Sequence, residues 1–93
     1  MTQTFTQIRE WAEPPVIKVG KWEFPKPITV APAKGTIYWV ATMSPIGYAP
    51  DYYVWDDDDA DSGLLEHHMI HLSEAAAQAH ADVLNAICRG DVE

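Results

Sequence analysis

Apolar residues recur along this chain with two different periods, and the change from one to the other falls near residue 73. From there on, Ala76, Ala79, Val83, Leu84 and Ile87 repeat at about 3.6 residues, the period of an amphipathic helix. Ser73 is a suitable N-cap, and Glu74 complements the positive start of a helix. Arg89 suits the negative end, and Gly90 is a natural residue just beyond it. These signals predict a helix over residues 73–89. Its alanines let it lie close on a sheet, with Gln78, Asp82 and Asn85 towards water, Cys88 near the apolar face and His80 at the edge of the apolar stripe.

Residues 16–72 read as β-rich. Val16-Ile17-Lys18-Val19 is short and apolar, Gly20 punctuates it, and Trp22 and Phe24 alternate with Lys21 and Glu23. Pro25 and Pro27 lack backbone donors, which makes this part an edge strand or an extended arm. The strongest strand pattern is Ile37-Tyr38-Trp39-Val40-Ala41-Thr42, rich in β-branched and aromatic residues and preceded by a turn at Lys34-Gly35. Ser44 to Pro50 reads as a long loop. Tyr52-Tyr53-Val54-Trp55 follows as a second strand, antiparallel to the first, with Tyr38 and Tyr53 facing outwards. Gly63 marks a turn, and Met69–Leu72 a third short strand. Residues 1–15 carry Phe5, Ile8 and Trp11 at helical spacing until Pro14-Pro15, which fits a short helix or an N-terminal arm. The expected fold is therefore α+β in a single domain over 1–93: a small antiparallel sheet of two to four strands with one C-terminal helix packed on it.

Charge changes the picture more than composition does. Residues 1–50 hold five bases (Arg9, Lys18, Lys21, Lys26, Lys34) and three acids, whereas residues 51–93 hold eleven acids and Arg89 alone, for a net charge of −8. Six of the acids are aspartates between Asp51 and Asp61, with Asp56 to Asp59 consecutive. Mutual repulsion in such a run costs stability, so its expected use lies outside folding. The acidic field argues against direct contact with nucleic acid or anionic membranes and towards cationic protein surfaces or metal ions. One cysteine excludes an internal disulfide and fits a reducing compartment such as the cytoplasm. No stretch has the length of a signal peptide's apolar core or of a membrane span.

Chemical motifs are weak. A calcium loop starting at Asp57 would use Asp59 and Asp61, but it has Ser62 where glycine belongs and His68 where the bidentate glutamate belongs. His67, His68, His71, His80 and Cys88 lack the paired spacing of a zinc site, and on a strand His67 and His71 share one face while His68 takes the other. Ser44 and Ser73 have no nucleophile elbow around them, and Cys88 falls on the last turn of the predicted helix, away from the N-terminal position that activates a nucleophilic thiol. The expectation is a protein without enzymatic activity and without a cofactor.

Gly35-Thr36-Ile37-Tyr38-Trp39, then Trp55-Asp56-Asp57, then the stretch from His71-Leu72-Ser73-Glu74-Ala75-Ala76 to His80-Ala81-Asp82-Val83-Leu84 resembles small acidic accessory proteins of tailed phages and prophages. The resemblance spans about residues 25–87 and is diffuse. It implies an inhibitor of a host enzyme, nuclease or defence complex, in some cases a DNA mimic, acting in the host cytoplasm. The doubled His67-His68 and the long aspartate run depart from the pattern. Charge and resemblance together lead to a partner-binding site made of Asp56, Asp57, Asp58, Asp59 and Asp61 for the field and of Tyr52, Tyr53 and Trp55 for a desolvated anchor. Its expected partner is a host protein with a basic surface. A metal-binding domain and an assembly module that forms a homodimer through its strand edge are the alternatives.

Overall fold

The structure, a computed structural model, describes residues 15–93. The segment expected over residues 1–15 falls almost wholly outside them. The fold is α+β, and it contains two antiparallel hairpins and two helices. In chain order these are β1 (Val16–Val19), β2 (Trp22–Pro25), β3 (Ile37–Ser44), β4 (Gly47–Val54), α1 (Asp59–Glu66) and α2 (Glu74–Cys88). Among the described residues the strands form two separate two-stranded sheets rather than one.

The first hairpin pairs Val19 with Trp22 and Val16 with Pro25 around a turn at Gly20-Lys21. Gly20 has φ 61°, and a Cβ there would overlap the backbone carbonyl of Val92, so the turn and the C-terminal tail need glycine together. The same tail is held by Trp22, whose indole N–H donates to the Asp91 carbonyl at 2.7 Å, and by an ion pair from Lys21 to Asp91 at 2.7 Å.

The second hairpin is longer than its sequence suggests. Residues 44–50 do not form a loop: only Pro45 and Ile46 lie in the turn, and Ser44 pairs with Gly47 and Ala41 with Pro50. Proline fixes its own φ for the turn at Pro45, and Pro50 is tolerated because β4 lies at a sheet edge. The Asn85 amide spans the hairpin's end, accepting from the Tyr48 N–H at 2.7 Å and donating to its carbonyl at 3.0 Å. Asn85 therefore clasps α2 to β4 instead of facing water.

Helix α2 packs across β2, β3 and β4 and begins at Ser73, whose hydroxyl accepts from the Ala76 N–H. Its buried face is Ala77, His80, Ala81, Val83 and Ala86, rotated from the expected stripe so that Ile87 and Cys88 are exposed and His80 is inside. Alternation along β3 sends Tyr38 and Val40 into a core with Trp55 and Ile70, lined by Ile28, Leu64, Leu65 and Met69. Ala41, on the alternate face, is also buried, which explains an apolar run without polar alternation. Tyr38 thus faces inwards, contrary to expectation. Residues 69–72 do not form a strand: His71 alone bridges Trp39, with N–H···O bonds of 2.8 Å in both directions.

Gly63 lies inside α1, not in a turn. The helix ends where His68 takes the left-handed conformation at φ 62°, the Met69 N–H bonding to the Leu64 carbonyl and the His68 N–H to that of Leu65. This is a Schellman end with histidine where glycine is usual, as at Gly90 after α2, φ 77°. Replacing His68 by glycine removes the Cβ strain, and the His68→Gly variant should be more stable by about 1 kcal/mol in urea unfolding.

Candidate functional site

The acidic run has a fold of its own. The Gly35 N–H donates to the Trp55 carbonyl and the Trp55 N–H to the Thr36 carbonyl, each at 2.8 Å, so the hairpin's base ends immediately before Asp56. Asp58 is the N-cap of α1, its carboxylate accepting from the Asp61 N–H at 2.8 Å. Asp61 completes a capping box: its Oδ2 accepts from the Asp58 N–H and also from the Asp56 N–H, the latter at 2.7 Å. The other oxygen accepts from the Tyr38 hydroxyl at 2.5 Å. Asp57, at φ 57°, accepts from the Trp55 indole N–H, in a conformation that aspartate tolerates better than most residues. Three of the aspartates expected to meet a partner, Asp57, Asp58 and Asp61, therefore shape the loop that carries them.

This arrangement sets the charge states. The bond from Tyr38 holds the Asp61 carboxyl below its ordinary value against the opposing effect of burial, and the backbone donors of Asp56 and Asp58 add to it. Burial pushes the Tyr38 phenol up, and the carboxylate beside it pushes in the same direction. Tyr38 stays a donor and Asp61 an anion at neutral pH.

The expected site residues separate into three groups. Asp56, Asp57, Asp58 and Asp59 are exposed, as is Asp51 at the middle of β4. Only Lys34 approaches them among the described residues, 3.6 Å from Asp56 in an exposed pair of little energetic weight. Trp55 (2 % exposed) and Asp61 (4 % exposed) belong to the interior and cannot meet a partner, because the indole fills the core and the carboxylate is enclosed by its donors. Tyr52 and Tyr53 are 57 % and 42 % exposed but point to opposite faces of β4. Tyr52 packs on Trp39, with ring centroids 5.2 Å apart, and Tyr53 on Tyr38 at 5.9 Å. Only Tyr53 stands beside the acidic loop.

Between Tyr53 and α1 runs an open groove of about 630 Å³, lined by the apolar Tyr38, Val54, Leu64 and Met69 and also by Asp58, Asp59 and His67. The groove has no sequence signature beyond the parity of Tyr53, because the residues that make its other wall belong to a helix that the run of aspartates conceals.

No family model, curated protein or solved structure matches the chain.

The histidines also divide. His67 and His68 are exposed, whereas His71 and His80 are buried, with Nε2 of the first 3.0 Å from Nδ1 of the second. Phe24 stacks on the His80 ring at 4.2 Å. Burial lowers both imidazole pKa values, that of His71 to about 4 with a further contribution from His80. Both rings are neutral at pH 7, so one donates and the other accepts. Among the described residues no three His, Cys, Asp or Glu side chains converge as metal ligands. Within the same residues no helix is long and apolar enough to cross a membrane.

Proposed function

We propose that the protein acts by binding rather than by catalysis: it presents Asp56, Asp57, Asp58 and Asp59, with Tyr53 beside them, to a basic surface on another protein and blocks it. The observation that carries this reading is the placement of four consecutive exposed carboxylates on a loop fixed from within by Asp61, Trp55 and Tyr38. A loop held in one conformation loses little entropy on association, so its charges add to affinity and not only to encounter rate. Carboxylates on such a loop are spaced closely enough to stand in for a phosphate run, which favours a partner surface that otherwise holds nucleic acid. In the phage-type setting that the sequence resemblance implies, that partner is a host protein in the host cytoplasm. The polar groups that elsewhere suggest catalysis are occupied structurally here, Ser73 as a cap and His71 and His80 with each other.

Changing Asp56, Asp57, Asp58 and Asp59 to asparagine tests the proposal without disturbing the fold. Asparagine retains a side-chain oxygen for the N-cap and for the Trp55 indole and tolerates the backbone at position 57. Asp61 stays untouched. The immobilised wild-type chain should capture a basic protein from host extract and release it as salt rises, and the fourfold variant should bind that protein at least about tenfold more weakly with unchanged circular dichroism. Equal capture by the two chains would remove the proposal.

A further inference from the structure

The groove beside the acidic loop has a chemistry more specific than its charge. Its lining is mostly apolar, Leu64 and Met69 contributing aliphatic surface and Tyr53 an aromatic ring that remains 42 % exposed. Asp58 and Asp59 border the same space at the start of α1. Among the described residues neither of them forms an ion pair. At about 630 Å³ it is large enough for one long side chain and the peptide on either side of it.

We infer that this groove is a receptor for an arginine side chain of the protein partner. A cationic head on an apolar stem matches a site lined by apolar side chains together with the carboxylates of Asp58 and Asp59. Tyr53 selects between the two basic residues: a planar guanidinium lies flat on an aromatic ring while its N–H groups fork towards carboxylates, which an ammonium does not do. A second copy of this chain is a poor occupant, since two chains of net charge −8 repel one another. The inference rests on the reading that the partner surface is basic, and it names the residue that anchors it.

The test is a titration of isotopically labelled wild-type protein, followed by amide shifts, with a short blocked peptide of glycine and serine carrying one central arginine. Saturable shifts should centre on Tyr53, Val54, the residues from Asp58 to Leu64, and His67. Replacing the peptide's arginine by lysine should weaken binding about threefold, and replacing it by uncharged citrulline or norleucine about tenfold or more. Tyr53→Leu should erase the preference for arginine over lysine, and Asp59→Asn should weaken both, whereas Asp51→Asn, which lies outside the groove, should leave the titration unchanged. Equal binding of the norleucine and arginine peptides, shifts centred elsewhere, no saturable binding at millimolar peptide, or self-association of the chain that protects these amides would each overturn the inference. Its failure is separable from that of the surface reading. Partner capture that survives without arginine binding leaves the acidic surface standing, and arginine binding with capture equal in the fourfold variant leaves only the groove.

Discussion

Acidifying the protein from pH 7 to pH 4 should lower its unfolding free energy by on the order of 3 kcal/mol. The cause is the buried pair of His71 and His80, held neutral by desolvation, with the His71 pKa near 4 against 6.5 in an unfolded chain. Well above pH 6.5 neither state takes up protons at these sites. Below it the unfolded chain binds protons that the folded one refuses, so stability falls with pH until the folded value near 4 is reached. Asp61 and Asp91, both shifted below the ordinary aspartate value, contribute little in this window: their stabilisation begins to fall only near pH 4 and is mostly lost at more acid pH. Repulsion within the acidic half relaxes on acidification and works in the other direction. The reference is therefore a double variant, His71→Leu with His80→Leu, measured by urea unfolding at half-unit steps of pH. It should show little loss between pH 6.5 and 4, while the wild type loses a large part of the 5–15 kcal/mol that holds small domains folded, of which a chain this short has about the lower end.

Removing one oxygen should be nearly as damaging. Tyr38→Phe leaves the packing of the ring against Trp55 in place but deprives the Asp61 carboxylate of its side-chain donor. A hydrogen bond to a charged buried group is worth about 1.5–3 kcal/mol, and for a domain of this size the melting temperature should fall by about 10 °C. The complementary change, Asp61→Ala, takes away the acceptor for the Tyr38 hydroxyl and for the Asp56 and Asp58 amides together. Its consequence reaches function: the four exposed aspartates remain, yet the loop that orders them is released, so partner binding should weaken while net charge changes by only one unit. Faster hydrogen exchange at Asp56 and Asp58, at temperatures where the remainder of the fold is protected, separates this local release from global unfolding.

The elements easiest to read were those whose signals agree with one another. Helix α2 has a cap, a period and a terminating glycine, and the strand at Ile37 has β-branched and aromatic residues on both faces. Two features were hidden for physical reasons. Proline and glycine at positions 45, 47 and 50 suggest a loop, but a hairpin with free edges accepts all three, and the Asn85 clasp compensates from a distant helix. Helix α1 was obscured by its own start: Asp58 and Asp61 form a capping box whose spacing is written in the sequence but lies inside a run that charge alone explains. The aspartate at position 61 illustrates the limit, because its neighbours in sequence are exposed and only the Tyr38 hydroxyl, 23 residues away, reveals it as an interior anchor. The pairing of His71 with His80 depends likewise on the rotation of α2, which the alanine-rich pattern leaves undetermined.

In the proposed function, the preorganised acidic loop occupies a site where another protein would hold nucleic acid. The most direct test uses the captured partner, loaded with a fluorescent oligonucleotide and titrated with the wild-type chain at fixed ionic strength. Full displacement of the oligonucleotide is expected at one equivalent of bound chain, with little displacement by the variant carrying asparagine at positions 56–59. A stable ternary complex of partner, oligonucleotide and chain would contradict the proposal.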